Sequence, residues 1–252
     1  MNPFYTIRSE WIKLSTTKAL AFTSLFFVLV GALIPVLLAW NARQSEIGFI
    51  ELNLLPQGIY YFGTLAIIVQ AIMVVTTEYR HNSVGMTFAA TPQRFIVLLC
   101  KWFLYAVIST VMTAATLLGG VYAAKIIGGS SVSEQIDIWN NEYLLRALWV
   151  YPLTILLIVT FSMGVAMLVR QTAGAIAIMM SWFLGLETFV YFLPKYGPKI
   201  SNHGPFSNLQ AFVTQGDLAN TSWGYVGSLY YFIAWAVGLF ILGVISISVR
   251  DV

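Results

Sequence analysis

Charge is what this chain lacks most. Only 9% of its 252 residues are Asp, Glu, Lys or Arg, against 59% hydrophobic and 15% aromatic. A soluble domain carries about 25% charged residues. The shortage runs along the whole length, which implies a polytopic membrane protein with little chain left over for a soluble domain. Cys100 is the one cysteine, so an intrachain disulfide and a cysteine metal cluster are both excluded. The two histidines, His81 and His203, fall on opposite sides of the membrane in the topology below, and they cannot share a metal or form an intramembrane dyad. No Gly-x-x-x-x-Gly-Lys-Ser/Thr phosphate loop and no Gly-x-Ser-x-Gly elbow occur, so the chain has no recognisable nucleotide site or serine nucleophile of its own. The net charge is only +3 and its cations are scattered, which leaves no basic stripe for nucleic acid. A cleavable signal peptide is not expected, because Arg8, Glu10, Lys13 and Lys18 interrupt the start and no small-residue cleavage site follows.

What the chain does have is long apolar runs. Six are present: Ala19 to Trp40, Gly58 to Thr77, Phe95 to Ala124, Leu144 to Val169, Ala173 to Leu193 and Tyr225 to Val249. Each is long enough to cross a hydrocarbon core, which takes about 20 residues. All are expected to be helices, since a helix satisfies its own backbone polar groups in lipid. The expected fold is therefore all-α: a single transmembrane domain over 1–252 with six spans. With both termini inside, eight cations lie on the cytoplasmic side (Arg8, Lys13, Lys18, Arg80, Arg94, Lys101, Arg170, Arg250) and five outside (Arg43, Lys125, Arg146, Lys195, Lys199). The bias sets the orientation, and Trp40, Tyr60, Tyr61, Trp149, Tyr151 and Trp223 then fall at outer interfaces.

Several shorter stretches stand out against this frame. Phe4, Ile7, Trp11 and Leu14 recur on one helical face while Arg8 and Lys13 fall elsewhere, which predicts an interfacial amphipathic helix within residues 1–18 that meets membrane lipid. A disordered charged tail is the alternative. Residues 78–94 form a polar segment between the second and third spans. Glu78 and Arg80 precede it and Arg94 follows, and Val84, Met86 and Phe88 alternate with Ser83 and Thr87 before Pro92 ends any helix. This is either a short helix at the cytoplasmic surface, on which a soluble partner pushes, or an ordinary connecting loop. The segment 194–224 mixes Pro and Gly with apolar pieces around Phe206 to Leu209, as expected of short helices dipping back into the outer leaflet where protein buries them.

Glu187 is the one acid inside a predicted span. It is a candidate for a pathway or outer gate together with Phe206, or else it reaches interfacial water or the 194–224 segment. Lys101, one to two turns inside the third span, is expected to return its ammonium to the inner surface. Ser162 and Ala166, and Ala234 and Gly238, have the spacing that permits close helix approach, either within the chain or at a dimer seam.

Together these residues carry a resemblance. The N-terminal Arg8-Ser9-Glu10-Trp11-Ile12-Lys13-Leu14, the Glu78-Tyr79-Arg80 … Ser83 … Thr91-Pro92-Gln93-Arg94 … Lys101 stretch, the Leu193-Pro194 to Phe206 region and the ending Val249-Arg250-Asp251-Val252 resemble the permease subunit of type-2 ATP-binding cassette exporters in its short six-span form. The resemblance covers the whole chain. It implies a bacterial plasma-membrane location and a coupling helix in the 78–94 loop. That helix would dock on a separate ATPase through Glu78, Arg80, Ser83, Val84, Met86, Thr87, Phe88 and Arg94. It also implies two ATPase copies that carry ATP and Mg, a second permease subunit, identical or paralogous, and no catalysis or cofactor in this chain. The expected role is export of an amphiphilic substrate such as a lipid, peptide or drug-like molecule. Rival readings are an ion-coupled secondary transporter, a non-transporting assembly subunit and a membrane enzyme; the residue clusters that a carrier or an enzyme would need are not visible.

Overall fold

The computed structural model describes residues 3–45, 48–80, 94–219 and 221–249. The described residues are helical with no strand among them, and six helices are long and apolar enough to cross a membrane. The chain is accordingly a multi-pass membrane protein. In order, α1 is Pro3–Ser15, α2 is Lys18–Gln44, α3 is Thr64–Arg80, α4 is Arg94–Ile127 and α5 is Gly129–Gln135. They are followed by α6 (Glu142–Val169), α7 (Thr172–Ser181), α8 (Glu187–Tyr191), α9 (Gly197–Asn202), α10 (Pro205–Thr214) and α11 (Tyr225–Val249). A wide helical turn over Ile59–Gly63 leads into α3, and another over Trp182–Leu186 joins α7 to α8. Gly185 leaves helical geometry there (φ 164°, ψ 8°), so the fifth span is broken near its end.

The chain forms two compact units, whose boundaries fall inside α1, α3, α4 and α6. The second unit comprises Lys13–Gln70 and Ala106–Leu156. Here α2 buries Phe27, Gly31, Pro35, Ala39 and Ala42, a stripe of mostly small residues at roughly four-residue spacing. A Cβ at Gly31 would lie 2.6 Å from Thr116 Cγ2 and 2.9 Å from Ile59 Cγ1, and one at Gly58 would lie 2.9 Å from the Val30 carbonyl. These helices therefore approach as closely as their backbones allow, the usual solution where lipid offers no hydrophobic drive to association. The large residues of α2, including Phe22, Leu29, Leu33 and Leu37, point away from the protein. Such a continuous apolar face is stable only against lipid or another apolar surface. The amide of Gln135, the last residue of α5, braces the loop that follows α2, donating to Gly48 O (2.6 Å) and accepting from Ile50 N (3.2 Å).

The first unit comprises the described residues of Met1–Ile12, Ala71–Tyr105 and Leu157–Val252. Its tightest crossing is between α6 and α11. A Cβ on Gly164 would lie 2.7 Å from the backbone at Leu239 and Phe240, and one on Gly243 would lie 2.8 Å from Met167 Cβ. The expected small-residue pairs are only half involved: Ser162 and Ala166 are buried, whereas Ala234 is exposed and Gly238 has no neighbour within 4 Å of its Cβ position. The two-residue link Arg170–Gln171 folds α6 and α7 into a tight hairpin, and Phe161 and Trp182 on either side of it meet edge to face at 5.5 Å. Tilted and stacked contacts join Phe161 to Phe206 (5.3 Å) and Phe232 (5.6 Å), so one aromatic cluster binds α6, α10 and α11.

Candidate functional site

Two buried polar sites lie inside the first unit, one a cluster of three ionisable side chains and the other a single carboxylate, and both are built around a charge that lipid alone would not tolerate. The first centres on Lys101, seven residues into α4 and hence about 10 Å along it at 1.5 Å per residue. Its side chain is 5% exposed, and the ammonium donates to Glu10 Oε2 at 2.5 Å and to Glu78 Oε1 at 2.8 Å. The Lys101 ammonium is thus paired inside the protein, with Glu78 two residues from the end of α3. An ammonium buried at this depth costs several kcal/mol without a partner, and two carboxylates, from α1 and from the last turn of α3, offset that cost.

Glu10 also decides how α1 is turned. Thr6, Glu10 and Leu14, spaced by four, form its buried stripe. Of the residues predicted to share an apolar face, Phe4 (65% exposed) and Trp11 (49% exposed) point outward, Ile7 is half-buried and Leu14 is buried. Arg8 and Lys13 are exposed. The signal for the ion cluster was present in the sequence: a lone lysine inside a span needs an acid near the same end of the span, and Glu10 and Glu78 flank the spans next to it in the chain.

The candidate docking residues divide into two sets. Ser83, Val84, Met86, Thr87 and Phe88, with His81, lie outside the described residues. Those flanking them are placed. Glu78 is half-buried on Lys101, and Arg80 ends α3 exposed. Arg94 opens α4 and donates from Nη1 to Ile247 O at 3.1 Å. Arg170 donates from Nη2 to the adjacent Ser246 O at 2.8 Å. The last carbonyls of α11 lack helical partners, and a cation there also meets the negative end of the helix dipole. Arg170 adopts φ 58°, an uncommon conformation for a side chain of its size, with its guanidinium 5.9 Å from the Tyr79 ring. A Thr172 Oγ1 to Thr76 Oγ1 hydrogen bond (2.8 Å) ties α7 to α3 nearby.

The second site centres on Glu187, 8% exposed at the start of α8. Its Oε1 accepts from Trp182 Nε1 (2.8 Å) and Phe206 N (3.0 Å), and its Oε2 from Ser207 N (2.6 Å) and Ser207 Oγ (2.7 Å). This is a helix cap supplied from a distant point in the chain. Pro205, first in α10, has no N–H, so the next two amides are the ones needing an acceptor. Gly204 makes room, because a Cβ there would overlap the Glu187 carboxyl. Glu187 and Phe206, named together in the sequence analysis, are therefore in direct contact, and Glu187 meets the 194–224 segment. His203 packs edge to face on Trp223 at 5.6 Å, and its carbonyl accepts from Tyr231 Oη.

Among the described residues no group of three or more His, Cys, Asp and Glu side chains is arranged to hold a metal. No protein-family model matches the chain, and a comparison with curated proteins likewise finds no match.

Proposed function

We propose that this chain is the permease subunit of an ATP-driven exporter, working with two copies of a separate ATPase and a second permease subunit, and moving an amphiphilic substrate outward across a bacterial plasma membrane. The observation that carries the reading is the bracing on either side of residues 81–93. Glu78 before them is held on a buried lysine, and Arg94 after them is held on the end of α11. A loop that only connects two spans needs no such fixed stems. A segment that receives a push from a soluble partner does, because slack stems would absorb the motion.

In this reading the termini and residues 78–94 face the cytoplasm, as the distribution of cations favours. The exposed Phe4, Tyr5, Trp11 and Ile12 set α1 at the inner membrane surface, with Arg8 and Lys13 toward anionic headgroups. The coupling helix lies within Asn82–Thr91, and its Val84–Phe88 face and Arg80 meet the ATPase. ATP closes the ATPase pair, the coupling helix and α1 carry that motion into the spans, and the two permease subunits repack to release substrate between them or laterally. The 194–224 segment is a re-entrant cap at the outer leaflet, a role favoured by the burial of Phe206, Leu209, Phe212 and Val213 in α10. ATP and Mg belong to the partner, since this chain has no phosphate-binding loop.

The test is gentle purification of the tagged chain from its native membrane, with identification of what accompanies it. A stoichiometric soluble chain carrying a phosphate-loop motif is expected, and it should be lost when Arg80 and the Val84–Phe88 face are replaced. If no nucleotide-binding chain is retained in several mild detergents, and transport persists without ATP, the exporter reading is wrong and a carrier or assembly role replaces it.

A further inference from the structure

We propose that Lys101 is a positioning residue, a charge latch that makes α1 move as one body with the stem of the 81–93 segment. The inference rests on the exporter reading and adds to it the element through which α1 is driven. The geometry is specific. One ammonium, 5% exposed, bridges a carboxylate on α1 and a carboxylate on α3 at 2.5 and 2.8 Å, while its own backbone belongs to α4. Three helices thus meet at one cation. Elsewhere α1 turns large apolar residues outward, and Thr6 and Leu14 are the other members of its buried stripe. Moving Glu10 off Lys101 would part a buried carboxylate from the cation and leave Lys101 held by Glu78, so this contact does not slacken gradually: it is either made or broken. Glu78 lies two residues before the end of α3, so any displacement of the stem pulls on Lys101 and, through it, on Glu10. Arg80 and Arg94 act differently. Arg80 is exposed, and Arg94 holds the other stem to α11.

The experiment uses the full chain with its co-purified partner in lipid nanodiscs. Cys100 is replaced by Ala, and spin-label pairs are placed at Ile12→Cys with Leu99→Cys and at Ile12→Cys with Ile245→Cys, all at exposed positions apart from Cys100. The first pair reads whether α1 stays with α4, and the second reads whether α1 moves relative to α11 when ATP and vanadate are added. With Lys101 present, the first distance should be narrow and unchanged by nucleotide while the second shifts. In Lys101→Met the first distribution should broaden and the nucleotide-driven shift should disappear, although the partner is still retained and still hydrolyses ATP. Glu10→Gln, which keeps the shape of the side chain, should give the same loss in weaker form. The reciprocal exchange Glu10→Lys with Lys101→Glu, which keeps one cation between two acids, should restore the shift. A retained partner with an undisturbed shift in Lys101→Met overturns the latch alone, as does failure of the exchange to restore a shift that either single variant has lost. A chain that retains no ATP-hydrolysing partner overturns the exporter reading and the latch with it.

Discussion

The carboxylate of Glu187 offers the sharpest energetic test, because the structure specifies every donor it holds. Three of the four bonds come from groups that need this acceptor: the Phe206 and Ser207 amides and the Trp182 indole N–H. A buried donor left without an acceptor costs about 1–3 kcal/mol. Glu187→Ala orphans all three and removes the charge that complements the start of α10, so a loss of about 4 kcal/mol is expected after partial hydration. Glu187→Gln keeps one carbonyl oxygen but turns an NH₂ toward donors; losing one or two charge-assisted bonds should cost about 2 kcal/mol. Glu187→Asp keeps the charge but withdraws it by one methylene, and should fall between wild type and Gln. The assay is thermal unfolding in detergent, followed by the near-ultraviolet signal of the aromatic cluster and by protease cleavage within 194–224. Cleavage should rise in the order wild type, Asp, Gln, Ala, because the cap fixes α10 before it fixes the spans. Equal stability of the Ala variant and wild type would refute the capping argument, and unchanged cleavage with lowered global stability would place the effect elsewhere.

Two further predictions rest on backbone geometry. Gly164→Ala should lower the unfolding temperature, with a cost of about 1–3 kcal/mol for forcing α6 and α11 apart, whereas Gly238→Ala should be neutral or slightly stabilising because its Cβ meets open space; equal effects would refute the close crossing. At φ 58° a side chain costs roughly 1 kcal/mol, so Arg170→Gly should be less destabilising than Arg170→Ala by about that amount, both having lost the Ser246 bond. If thermal unfolding places the two together, the left-handed conformation carries no strain.

The six spans were legible in the sequence because their cause is local. A run of about 20 apolar residues has to satisfy its own backbone in lipid, whatever it packs against, and the observed helices start and stop within a few residues of the hydropathy boundaries, as at Tyr225–Val249. What the sequence left open depends on partners far away in the chain. Phe4, Ile7, Trp11 and Leu14 repeat on one face of α1, but the helix is turned by Glu10, whose partner is 91 residues further on. Gly185 breaks the fifth span where hydropathy alone runs on without a gap. Ala234 and Gly238 have the same spacing as a true crossing. Which small residues meet, however, is settled by the angle between α6 and α11, and that angle brings Gly164 and Gly243 together instead. Glu187 stood between a functional and a structural reading because its environment is made by residues 19 and 20 positions downstream.

The bonding of the buried charges also bears on mechanism. An ion-coupled carrier needs an acid that alternates between binding a proton or cation and releasing it, and so needs at least one open coordination position in each state. Glu187 has both oxygens engaged, each by two donors, and two of those donors are backbone amides fixed by the start of α10. Glu10 and Glu78 share an ammonium that cannot leave without stranding charge. Groups held in this way suit fixing the position of helices better than exchanging ions. Under the proposed exporter reading, transport energy enters as mechanical work on those helices, and the braced residues Glu78 and Arg94 on either side of 81–93 are the points proposed to receive it.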